Sequence, residues 1–95
     1  MIVEFDTYPM GKESGLGREI AKVEKIIKES GLDHQLTAMG TILEGDWAEV
    51  MGVIEKCHKR LRRDHARVET HIKIDDHEGK TGRLEGKVDS VRKQM

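Results

Sequence analysis

Aromatic residues are nearly missing from this chain, with one Phe, one Trp and one Tyr in 95 residues. Hydrophobic residues reach only 36%, so little large apolar material is available for a core. A single domain this short buries only about 60–65% of the surface its unfolded form exposes, and assembly with further copies is the expected source of more. Cysteine is reduced to Cys57, which excludes an internal disulfide and suits a reducing compartment. No apolar run resembles a secretion signal or a membrane span, so the expected location is the cytoplasm, with no membrane partner. A dominant charge is also missing: 17 basic residues against 18 acidic ones leave −1. A protein without a field of one sign is not expected to hold nucleic acid.

Charge in general is abundant, at 37% of the residues, and points to solvated helix faces. The densest basic run, Lys56-Cys57-His58-Lys59-Arg60-Leu61-Arg62-Arg63, reads as a helix end, where cations complement the dipole and stay hydrated.

The hydrophobic pattern orders the chain as β-α-β-β-α-β-α. Residues 1–9 alternate as a strand, with Val3, Phe5 and Thr7 on one face and Pro9 at its end. Ser14 is the expected N-cap of a helix over Gly15–Ser30, whose apolar stripe is Leu16, Ile20, Val23 and Ile27. Gly31 stands where a left-handed terminating residue is favoured. Short strands follow at 32–37 and 41–45, joined through Ala38-Met39-Gly40. Asp46 with Glu49 forms a capping-box-like start to a helix over Trp47–Arg62. Its inward residues are expected to be Trp47, Val50, Met51, Ile54, Cys57 or His58, and Leu61. Residues 66–76 alternate Val68, Thr70, Ile72 and Ile74 with Arg67, Glu69, His71, Lys73 and Asp75. Thr81 is placed to cap a last helix lined by Leu84, Val88, Val91 and Met95. The first six elements make a single α+β domain of the ferredoxin-like type over residues 1–95, with a four-stranded antiparallel sheet, strands one and three central, and strand four beside strand one. The outer face, from Ile2, Glu4, Asp6 and Tyr8 to the charged side of strand four, is either solvated or partly covered by a subunit or polar ligand.

Residues for catalysis are hard to find. His65, His71 and His77 share strand parity but lie six residues apart, roughly 20 Å in an extended chain, too far for one zinc ion. There is no Cys-x-x-Cys pair, no Gly-x-Ser-x-Gly elbow and no phosphate-binding glycine loop, and Gly15-Leu16-Gly17 is a plain helix entry. Cys57 lies on the apolar stripe and reads as core. No catalytic residue, metal ligand or cofactor is expected. The segment from Thr37 to Gly45, bounded by glycine, is left unassigned by these patterns.

Four stretches stand out together: Ile2-Val3-Glu4-Phe5 with Pro9-Met10-Gly11; Ile26-Ile27-Lys28-Glu29-Ser30-Gly31-Leu32; Leu36-Thr37-Ala38-Met39-Gly40-Thr41-Ile42-Leu43-Glu44-Gly45, running into Asp46-Trp47-Ala48-Glu49-Val50-Met51; and Arg67-Val68-Glu69-Thr70-His71-Ile72-Lys73-Ile74-Asp75. In these stretches the chain resembles the thiamine-binding protein family of MTH1187- and YkoF-like proteins. The resemblance implies a ferredoxin-like fold, a homotetramer built as a dimer of dimers, and non-catalytic binding of thiamine or its hydroxymethylpyrimidine moiety. It places a pocket near the hairpin and the end of strand one, with Thr7, Thr37, Met39, Thr41 and Glu44 as ligand-binding residues. The residue types fit the chemistry: hydroxyls and main-chain amides for an aminopyrimidine, sulfur or aromatic surface for a flat ring, carboxylates for a thiazolium cation. The competing expectation is a structural or regulatory homo-oligomeric module without a ligand.

Overall fold

A computed structural model describes residues 1–11 and 14–95. The elements are β1 (Ile2–Pro9), α1 (Leu16–Ser30), β2 (Asp33–Thr37), β3 (Gly40–Glu44), α2 (Trp47–Asp64), β4 (Val68–Asp75) and α3 (Arg83–Gln94). All strand pairs are antiparallel, in the order β2-β3-β1-β4, which is the expected ferredoxin-like sheet.

Period-two alternation turns Val3 and Phe5 of β1 and Leu43 of β3 toward the helices, where all three are buried. They meet Val23 and Ile27 of α1 and Val50, Val53, Ile54, Cys57 and Leu61 of α2 in one core. Asp46 caps α2 as its spacing predicts, its carboxylate accepting from the Glu49 N–H at 2.8 Å. Gly31 ends α1 at φ 75°, a left-handed conformation that costs a Cβ-bearing residue more than glycine.

The helix starts differ from expectation. Gly15, not Ser14, occupies the N-cap of α1, and Gly82, not Thr81, that of α3; neither helix has a side-chain cap bond. Both glycines sit at positive φ, a conformation a serine or threonine avoids. Trp47 is 58% exposed rather than inward, and Val53 takes a core place that the expected stripe omitted. Trp47 is the first residue of α2, and the core contact of that turn is made by Val50 instead. Leu16, at the start of α1, is likewise exposed.

β4 is an outer strand, and the helix layer covers it only in part. Ile72 and Ile74 face the helix side but stay 41% and 39% exposed. On the opposite face, α3 lies over one end of the sheet with Leu84 and Val88 near Ile2 and Ile42, yet none of its residues is buried. Val91 and Met95, expected to line it, are exposed.

Candidate functional site

β1 is longer than its neighbour. β3 pairs with Ile2 to Phe5 only, whereas β4 follows β1 through Pro9. Beyond Phe5, the β3 side of β1 is therefore open. A cleft of about 420 Å³ occupies that gap, walled by the end of β1, the β2–β3 turn and α1.

The ladder also sets the polarity of this gap. In an antiparallel pair, alternate residues turn both main-chain groups to the same neighbour. The Gly45 N–H donates to the Met1 carbonyl at 3.1 Å, so odd residues of β1 face β3. The Met10 N–H donates to the Arg67 carbonyl at 2.9 Å, so even residues face β4. The N–H and C=O of Thr7 thus turn into the cleft, where no main-chain group of the described residues pairs with them. At Pro9, the next odd position, there is no N–H to leave unpaired.

Gly40 makes the boundary. Its φ is 154°, and an added Cβ would lie 2.7 Å from the Phe5 carbonyl oxygen. Glycine here lets the hairpin close onto β1 just where pairing stops.

Four of the five residues implied by the resemblance line the cleft: Thr7, Thr37, Met39 and Thr41. Thr7 is buried, and its hydroxyl shares a 2.7 Å hydrogen bond with that of Thr70. Thr70 in turn is 2.7 Å from Nδ1 of His58. The Thr37 hydroxyl donates to the Gly40 carbonyl at 2.8 Å and accepts from the Met39 N–H at 3.2 Å, so it holds the turn in shape. Met39 is 81% exposed at the tip. The buried Thr41 donates to the Glu24 carboxylate.

Glu44 lies elsewhere. Its carboxylate accepts from the main-chain N–H groups of Arg83 at 2.7 Å and Leu84 at 3.3 Å, at the start of α3. It replaces the side-chain cap that α3 lacks, and its negative charge suits a helix N-terminus. The acidic residue that does line the cleft is Glu24, which the sequence reading missed. Its signal was available: Glu24 follows Ile20 by four residues on α1 and so shares that flank of the helix.

The mouth of the cleft carries a second cluster. His71 lies 2.8 Å from Asp6 through Nδ1 and 2.8 Å from Glu69 through Nε2. Its ring stacks on Tyr8 with centroids 6.0 Å apart. The Asp6 hydrogen bond raises the His71 pKa above its usual value, against partial desolvation. Tyr8 is also raised, chiefly by desolvation and then by Glu69 and Asp6.

Other candidates are engaged elsewhere. Cys57 is fully buried and its thiol is pushed up to about 12 by desolvation, with Glu24 adding to the effect. The basic run on α2 is partly paired, Lys59 with Glu55 at 2.6 Å and Arg60 with Asp64 at 2.7 Å. Among the described residues no group of three ligating side chains converges on a metal position, and no helix is long and apolar enough to cross a membrane.

Comparison with known proteins agrees with this architecture. The family model described as thiamine-binding protein matches residues 3–92. The UPF0045 protein Mb1933 of Mycobacterium bovis is 33% identical over 96 residues, covering 100% of this chain and 94% of its own. The UPF0045 protein YqgV of Bacillus subtilis is 33% identical over 100 residues, covering 99% and 96%. The crystal structure of hypothetical protein MJ1052 from Methanocaldococcus jannaschii superposes with a TM-score of 0.88 at 28% identity, over 96% of this chain and 94% of that one. A putative thiamine biosynthesis/salvage protein from Thermotoga maritima shares the fold, with a TM-score of 0.84 at 22% identity over 96% and 97%.

Proposed function

Because this chain belongs to the thiamine-binding protein family, we propose that it binds thiamine or its hydroxymethylpyrimidine moiety in the cleft beside β1 and leaves the molecule chemically unchanged. The observation that carries this reading is the open edge at Thr7. One N–H donor and one C=O acceptor point side by side into a partly apolar cleft. An aminopyrimidine presents the complement, a ring nitrogen that accepts and an exocyclic amine that donates. Leu36, Ile20 and Phe5 line the same cleft and offer apolar surface to a flat ring. Glu24 supplies the carboxylate that a thiazolium cation favours, with Thr41 fixing its position.

The protein acts as a carrier or sensor, not an enzyme. Its cleft holds hydroxyls committed to structural hydrogen bonds, and its one thiol is buried in the core. We further infer a homotetramer. Leu36, Ile72, Ile74, Val88 and Val91 leave more apolar surface exposed than so small a core balances. The free, buried thiol fits the cytoplasm.

Isothermal calorimetry with thiamine and with hydroxymethylpyrimidine tests the binding. Both compounds should give heat. Thr41→Val should cost about 1–3 kcal/mol of binding, since it leaves the Glu24 carboxylate without its donor. Glu24→Gln should weaken cationic thiamine more than the neutral alcohol. No heat from either compound, in protein that is folded and assembled, sinks the reading and favours the ligand-free module. Light scattering checks the tetramer.

A further inference from the structure

We propose that His58 of α2, which lies outside the cleft, is a positioning residue that sets whether the Thr7 hydroxyl meets a ligand as acceptor or as donor, acting through Thr70. The effect on a ligand rests on the binding reading above; the relay of hydroxyls does not.

Three side chains form a line between α2 and the sheet. Nδ1 of His58 lies 2.7 Å from the Thr70 hydroxyl, which in turn lies 2.7 Å from the Thr7 hydroxyl. Thr7, on the central strand β1, is buried and lines the cleft. His58 and Thr70 are half-buried and line a separate groove beside β4. The line therefore joins two surfaces of the molecule.

Each hydroxyl has one proton to donate and two lone pairs that accept. When neutral His58 carries its proton on Nε2, its Nδ1 accepts from Thr70. Thr70 has then spent its proton, so Thr7 must donate to Thr70 and turns lone pairs to the cleft. When His58 is protonated, Nδ1 carries a proton and can only donate. Thr70 accepts it, and its own proton is freed for the Thr7 oxygen within reach. The Thr7 proton is released to the cleft. No proton crosses the line; two hydroxyls turn.

The charged side chains that share the His58 groove are Glu55 and Lys59, both of α2 and paired with each other at 2.6 Å. From β4 only Thr70 and Ile72 line it, because Glu69, His71 and Lys73 take the opposite face of the strand. At the cleft end Asp6, Glu24 and His71 also titrate. A test must therefore cut the line and leave these groups in place, and Thr70→Val does so.

NMR of the ligand-free protein, titrated through the histidine range, reads the relay directly. The Thr7 amide and Cβ signals should follow the same midpoint as the His58 ring. In Thr70→Val that step should vanish from Thr7 while His58 still titrates, and Thr70→Ser should restore it. His58→Asn, whose amide does not titrate, should also abolish the step, and it decides should Thr70→Val fail to fold. Thr7 signals that ignore His58, or that follow it equally in Thr70→Val, overturn the proposal. Calorimetry with hydroxymethylpyrimidine reads the consequence. Its exocyclic amine donates, so it should favour the accepting form of Thr7. Wild-type affinity should rise from pH 5.5 to pH 8 by about threefold more than that of Thr70→Val. By linkage the ligand should lower the His58 midpoint by about half a pH unit. Equal pH ratios in the two proteins overturn the role in recognition. No heat at any pH overturns the binding reading, and the ligand-free titration then decides the relay alone.

Discussion

From Ile2 to Phe5, β1 lies between two strands; from Asp6 to Pro9 it has β4 alone. The closed half carries Val3 and Phe5 into the core with Leu43 of β3 beside them. The open half carries Thr7, whose main-chain groups face a cleft, and Asp6 and Tyr8, which meet His71 at its mouth. One strand of unbroken alternation thus serves the core at one end and lines a cleft at the other, the end to which the proposed function assigns recognition. The difference comes from the length of its neighbour and not from β1 itself. Were β3 to follow β1 to its end, the main-chain groups of Thr7 would be taken up by the ladder and none would face the cleft.

Breaking the closed half should have the largest effect. Phe5→Ala removes the one phenylalanine of the chain from a buried site between the core and the cleft and should cost about 3–5 kcal/mol of unfolding free energy. Urea denaturation measures it; a loss below about 1 kcal/mol would mean the core does not depend on this ring. Gly40→Ala attacks the boundary between the halves. Its Cβ would press on the Phe5 carbonyl at an unfavourable φ, so a cost of about 2–4 kcal/mol is expected from strain and overpacking. Because the hairpin must then withdraw from β1, the cleft should change shape and ligand heat should fall with stability.

Two smaller effects sharpen the contrast at the open end, and their pH signs are opposite. Glu19 of α1 is buried and bonds His65 at 2.9 Å, just before β4, and Lys22 at 3.0 Å. Its pKa is lowered, first by the His65 hydrogen bond and then by Lys22. A lowered carboxylate pKa adds stability above the ordinary value of 4.5, and this is lost as the pH falls through the folded value. Glu19→Gln should therefore flatten the acid limb of a stability-against-pH curve, a change that thermal melts from pH 3 to pH 6 would reveal. His71 has a raised pKa through Asp6, so its contribution is present below 6.5 and disappears as the pH rises through the folded value. His71→Asn should remove a slight loss of stability as the pH rises above 6.5, the smallest effect expected because the pair is solvated. Melts of that variant with the wild-type slope would show the pairing with Asp6 to be inconsequential.

The charge-rich α3 shows how far pattern reading carries. Leu84 and Val88 keep helical spacing and do face the sheet, but the helix has so little apolar surface that it stays at the periphery. Its position depends on Glu44, a residue 39 positions earlier than Arg83, and no local pattern connects the two. Glu24 and Thr41 are related in the same way, 17 positions apart yet joined at the cleft.

By itself, the sequence determined the order of the elements, the antiparallel sheet and most of the core, because alternation at period two and at 3.6 is written in neighbouring residues. It also carried the family resemblance and four residues that prove to share one cleft. Only the tertiary structure decided that β3 begins too late to cover Thr7, that Glu44 serves α3 while Glu24 takes the place by the cleft, and that Ile72 and Ile74 lie beyond the helix layer. These depend on where one element ends relative to another. Such offsets are set by packing across the whole chain, since a shift of two residues would leave every side chain on the same face.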